Sequence, residues 1–214
     1  MPPQPSPYLT VASEADSETE VKRSRFLAQV RRTESENGAR EVIEAARREF
    51  WDARHHCSAF VLGAHGEITR SNDDGEPAGT AGAPILQAIT GRELSDVVVV
   101  VTRYFGGTLL GAGGLVRAYG DAAAQALDHA GVVQRVPAIT ALVSAAVADA
   151  GRLENALRGR DIDVLDVEYA ETVRMTVTVP AHREAELRQA VAEFTHGTGD
   201  VELTGESWLD TKPG

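Results

Sequence analysis

Sulfur, aromatic side chains and positive charge are all scarce in this chain. Its 214 residues hold one cysteine and two methionines, and aromatics make up only 5%. The lone Cys57 excludes an internal disulfide and a cysteine-built zinc site, and it suits a reducing, cytoplasmic setting. Lys and Arg number 21 against 32 Asp and Glu, for a formal net charge of −11. That excess repels polyanions in general, so a nucleic-acid role requires a local basic patch. The longest purely apolar run, VVVVV at 97–101, is far too short to span a bilayer, and no membrane partner is expected. The start, MPPQPSPYLT, lacks a basic segment followed by an apolar core, so no secretory signal is expected.

What is present is ordinary for a globular protein: 43% hydrophobic and 25% charged residues, enough for two small domains with their own cores. The pattern reads as α+β. YLTVA and EVKRSRFLAQVRR read as strands, with Phe26, Ala28 and Val30 sharing one face. SENGAREVIEAARREFWD reads as a helix with Val42, Ala45, Ala46 and Phe50 on its apolar stripe. HHCSAFVLG and EITRSND form a hairpin turned by AHG. AGAPILQAIT is a short helix with Thr80 placed to cap it and Pro84 in its first turn. DVVVVVTRYF is apolar on both faces and therefore central in its sheet. GGLVRAYGDAAAQALDHAG makes a long helix ended by Gly131. A composition break at 131–139, with Pro137, reads as a linker. Beyond it the order strand, helix, strand, strand, helix, strand is the ferredoxin-like βαββαβ pattern. The expected divisions are an N-terminal extension at 1–16, Pro-rich over its first seven residues, a first domain at 17–131 and a second at 138–210.

Four features bear on chemistry. TRYFGGTLLGAGGLVRAYG, 102–120, runs from a buried strand through a glycine-rich loop into a helix. Gly106, Gly107, Gly111, Gly113 and Gly114 permit close approach of a ligand, and Arg103 and Arg117 offer phosphate contacts. The dinucleotide fingerprint fails because Val116 stands where its third glycine belongs, and a P-loop fails because Ala112 replaces the lysine. Plain strand–helix packing is the alternative. In SNDDGEPAGTAGAPIL, 71–86, Asp73, Asp74 and Glu76 suit Mg²⁺ or acid–base work, yet the same residues form turns and begin helices. The calcium-loop spacing is absent. In HHCSAF, His55 and Cys57 share one strand face and His56 takes the other, which cannot close on one metal without a bulge. A Cys–His nucleophilic pair is equally weak, because nothing marks a third residue to orient the histidine. Finally, residues 21–54 carry nine basic and six acidic side chains, Lys22 and Arg25 among them. They suit RNA phosphates or an acidic protein surface, or simply a solvated, internally paired face.

Four blocks, KRSRFLA (22–28), HHCSAFVLG (55–63), DDGEPAGTAGAPIL (73–86) and VVVTRYFGGTLLGAGGLVRAYG (99–120), resemble the YigZ/Impact family in order and spacing. The second half resembles the extra C-terminal domain of the bacterial members. The resemblance implies a first domain folded like elongation factor G domain IV, the ribosomal protein S-five domain-2-like fold also seen in GHMP-type kinases. It implies a second domain like domain V of that factor. Eukaryotic Impact restrains a kinase of translation initiation, partly through an RWD domain absent here, and that kinase system is eukaryotic. The implication for this chain is a link to translation: RNA, the ribosome or a translation-related protein as partner, with no cofactor and no carried-over catalytic residue. The ligand-facing set expected is the glycine loop with Arg103 and Arg117, extended by Lys22, Arg25 and His55, and faced by Asp73, Asp74, Glu76 and Thr80. A small-molecule phosphate or Mg²⁺-dependent enzyme and a protein-interaction module are the rival readings.

Overall fold

A computed structural model describes residues 6–213; the proline-rich start at 1–5 lies outside the described residues. The chain divides into two compact units, Pro7–Gln134 and Arg135–Thr211.

The first unit is built on a five-stranded antiparallel sheet, β2 (Ala15–Val21), β3 (Ser24–Arg32), β4 (His55–Leu62), β5 (Ile68–Asn72) and β6 (Val97–Tyr104), in the order β2–β3–β6–β4–β5. β6 is central, as its apolar run predicts. Val97, Val99 and Val101 enter the larger core with α2 (Gly82–Thr90) and α3 (Ala112–Ala130). Val98 and Val100 face the other way, into a smaller core under α1 (Glu36–Glu49). Ser35 caps α1, its Oγ accepting from the Gly38 N–H at 3.1 Å. On α3 the buried stripe is Leu115, Ala118, Tyr119, Ala122, Ala123, Ala126, Leu127 and Ala130, a helical repeat of mostly small side chains that lets the helix lie close on the sheet. Gly131 ends it with a φ of +66°.

Three local readings change. The stretch 20–32 is not one strand: Lys22 (φ +48°) and Arg23 (φ +66°) form a two-residue turn, with Val21 paired to Ser24. Both turn residues sit in the left-handed region that such a hairpin requires, without the Gly or Asn that would have marked it. The second change lies inside 1–16, where β1 (Tyr8–Val11) packs into the first unit. Val11 is in the larger core, Leu9 bridges Leu94, and the Tyr8 hydroxyl donates to the buried Asp96 carboxylate. Third, the expected linker is the first half of a long strand, β7 (Val132–Ala145). Pro137 lies one residue before the β7–β9 ladder begins at Ala138, so its missing N–H removes no bond from that ladder.

The second unit follows as β7, α4 (Ala150–Arg158), β8 (Asp163–Tyr169), β9 (Val173–Pro180), α5 (Glu184–Phe194) and β10 (Asp200–Thr211). Its strands lie in the order β10–β7–β9–β8, the split-βαβ arrangement that the sequence pattern predicts. Leu153 and Leu157 of α4 and Leu187, Ala190 and Val191 of α5 pack on Val143, Val173, Met175 and Val177 of the sheet.

Candidate functional site

The carboxylate loop and the glycine loop meet at one end of the first sheet, where β3 and β4 begin and β6 ends. Arg103, on β6, lies opposite Phe26 of β3 and His55 of β4. Its guanidinium donates from Nη1 to Glu76 Oε1 at 2.6 Å, and the two side chains are only 7% and 4% exposed. The same Oε1 accepts from the Tyr119 hydroxyl at 2.8 Å. Arg103 lies between two rings, 5.6 Å from the centroids of Phe26 and of Phe105, and Phe26 meets Tyr119 edge-on at 5.1 Å. Strand, helix and loop are thus tied by one buried ion pair. Arg103 is therefore a brace rather than the outward phosphate contact that the sequence suggests.

Asp73 and Asp74 are engaged as well. Asp73 Oδ1 accepts from the N–H groups of Ala81 (3.0 Å) and Gly82 (2.8 Å), and Oδ2 from Gly79 at 2.8 Å. This is the N-terminal cap of α2, supplied from eight residues upstream. Thr80, the expected cap, is buried and donates instead to the Pro77 carbonyl at 2.7 Å. Partial burial pushes the Asp73 carboxyl upward, but the three backbone N–H donors outweigh it and hold the group below its usual range. Because the shift is downward, the stabilisation is present above the ordinary value near 3.8 and is lost as pH falls through the lower folded value. Asp73→Ala is expected to cost about 1 kcal/mol at pH 7. Urea titrations of both proteins should converge as pH drops below 3.8; a gap that does not narrow would remove the cap from the account.

Asp74 (φ +43°) accepts from Arg47 Nη2 at 2.8 Å and from the His56 N–H at 2.7 Å. His55 Nδ1 lies 2.9 Å from the Asp74 carbonyl, and His56 Nε2 3.1 Å from that of Phe50. The two imidazoles thus serve opposite faces of β4, as their spacing predicts. Among the described residues, no group of His, Cys, Asp and Glu is placed to hold a metal ion. Cys57 is fully buried, with its thiol 3.0 Å from the Asp73 carbonyl. Burial pushes that thiol up to about 12, only partly offset by its contact with Tyr119, which disfavours a thiolate nucleophile. Burial, then the neighbouring Cys57 and Glu76, likewise raises the Tyr119 phenol.

The glycines divide by role. A Cβ on Gly106 would stand 2.0 Å from the carbonyl carbon of Arg23 and 2.3 Å from the Ser24 nitrogen, so this glycine lets the loop lie against the β2–β3 turn. Ser24 Oγ accepts the Gly106 N–H at 3.1 Å. Gly114 is close to Leu110, whereas Gly107 (φ +82°), Gly111 (φ +71°) and Gly113 face open space. Gly111 begins α3 without a side-chain cap, which leaves the helix's first N–H groups exposed. Phe105 and Leu109 on this loop are 51% and 83% exposed.

The basic stretch is largely paired. Arg25 binds Glu18 at 2.6 Å, Arg31 binds Asp16 at 2.6 Å, and Arg40 and Arg47 have carboxylate partners. Lys22 and Arg23 at the turn and Arg117 on α3 are exposed and carry no carboxylate partner among the described residues. Ser24 and Tyr119 are the site residues that sequence reading missed, while Arg23 and Arg47 entered it only as members of the basic stretch 21–54.

The Impact N-terminal domain model matches residues 22–127, and a domain of unknown function (DUF1949) matches 148–198. The IMPACT family member YvyE of Bacillus subtilis is 38% identical over 203 residues, 95% of this chain and 94% of its own length. The chain belongs to the IMPACT family. A second family member, YigZ of Escherichia coli, is 35% identical over 89% of this chain and 95% of its own. A solved structure, described as a crystal structure of an hypothetical protein, superposes with a TM-score of 0.62 at 34% identity and covers 94% of this chain and 98% of that one. The Impact N-terminal match contains every residue of the brace and of the glycine loop. No described helix is long and apolar enough to cross a membrane.

Proposed function

We propose that this IMPACT-family chain is a non-catalytic, translation-linked binding protein that contacts RNA or the ribosome through the edge formed by Lys22, Arg23 and the 105–114 loop. The supporting observation is the uncapped start of α3, where open glycines stand next to a turn bearing two unpaired cations. Backbone N–H groups at a helix start attract phosphate oxygens, and the exposed Phe105 adds a surface on which a base can stack. Arg117, further along α3, extends the positive charge, while Arg25 contributes little because Glu18 neutralises it. The Mg²⁺ or acid–base reading is less well supported, because Asp73, Asp74 and Glu76 are each occupied by internal donors.

Binding to 70S ribosomes and to a single-stranded RNA is expected to weaken linearly with log salt, by about 0.7–0.9 log units per phosphate neutralised. Replacing Lys22, Arg23 and Arg117 together by Ala should flatten that slope by about two. Absence of binding at low salt, or an unchanged slope in the triple variant, would refute the proposal.

A further inference from the structure

The face of the first sheet that α1 covers is not completely filled. Between α1 and the edge strand β5 lies a groove of about 200 Å³ lined by Arg40, Ile43, Ser58, Phe60, Arg70 and Asn72. Strand register brings these groups together: Ser58 lies opposite Asn72, and Phe60 opposite Arg70. Directly opposed residues project from the same face, here the one on which Phe60 and Leu62 pack against Ala39 and Ala46.

Several of these polar groups are left with capacity to bind. Ser58 is only 3% exposed and lines the groove, with its hydroxyl open to that space rather than enclosed in protein. Asn72 accepts the Asp74 N–H at 2.8 Å through Oδ1, which leaves its amide NH₂ free to donate. Arg70 gives Nη1 to the Thr69 carbonyl at 2.9 Å and keeps its other donors. Among the described residues Arg40 meets only Glu36, at 3.4 Å, and its side chain is 69% exposed.

We propose that this groove binds a small phosphomonoester. Two guanidinium groups, a hydroxyl and a primary amide suit three terminal phosphate oxygens better than the two of a carboxylate. Glu36 on the rim cancels one of the two arginine charges and leaves the groove net positive. Ile43 and Phe60 supply an apolar floor for the organic portion. This site shares no residue with the RNA-facing edge and stands or falls independently of it.

The probe is phenyl phosphate, followed in ¹H–¹⁵N spectra of the full chain with benzoate as comparator. Saturable shifts are expected at the amides of Ser58, Arg70 and Asn72, with benzoate at least about fivefold weaker. The Arg40→Ala/Arg70→Ala pair should weaken binding by about tenfold or more, through lost charge-assisted bonds. Ser58→Ala, which leaves packing intact, should weaken it by about three- to tenfold. Absence of saturation, equal affinity for benzoate, or shifts undiminished in the arginine variant would each overturn the proposal.

Discussion

Glu76→Ala is expected to destabilise the first unit by about 3–5 kcal/mol, the cost of leaving a buried guanidinium without its counter-charge. The size follows from geometry. Arg103 and Glu76 are almost fully enclosed, their contact is 2.6 Å, and Glu76 also accepts from Tyr119. Removal strands two donors at once, Arg103 Nη1 and the Tyr119 hydroxyl. Arg103→Met combined with Glu76→Leu should cost much less than the two single changes together, because replacing a buried pair by apolar groups removes the desolvation penalty along with the attraction. Urea unfolding of the three variants gives the coupling. A Glu76→Ala loss under about 1 kcal/mol would show that solvent reaches the pair and that the brace is weak.

The second large effect is Gly106→Ala. The added methyl would meet the backbone of Arg23 and Ser24 at 2.0–2.3 Å, and backbone cannot step aside as a flexible side chain can. We expect a loss of about 3 kcal/mol, the upper end for overpacking, and a Tm lower by about 10 °C. Gly107→Ala is the internal control. Its neighbour space is open and only its positive φ of +82° opposes the change, so the expected cost is about 1 kcal/mol. Calorimetry that finds the two variants equal would mean the loop does not lie against the β2–β3 turn.

Much of this architecture was legible in the sequence. The valine run could only be central, the α3 stripe repeats at helical spacing, and the second half alternates in βαββαβ order. Strand β2 escaped because ADSETEV alternates charge with small polar residues and buries little. The turn at Lys22 and Arg23 escaped because its left-handed conformation is held by strand pairing rather than marked by glycine. At the site, the sequence singles out both loops, but the roles of the residues within them are not readable from it. A carboxylate that caps a helix and one that binds a metal look identical in sequence; only the three N–H groups aimed at Asp73 distinguish them. Likewise Arg103 reads as an anion contact until its partner Glu76, 27 residues away, is seen. Tyr119 was hidden within the apolar stripe of α3.

The carboxylate loop is a structural brace, and the glycine loop beside it is the proposed binding edge. Hydrogen exchange of the free chain and of the chain with excess 70S ribosomes tests both halves together. The amides of Gly79, Ala81 and Gly82, already bonded to Asp73, should exchange slowly in the free protein and stay unchanged on addition of ribosomes. The amides at 107–114, open in the free protein, should exchange quickly alone and become protected on binding. Protection that appears at 73–82 while 107–114 remains fast would contradict the account.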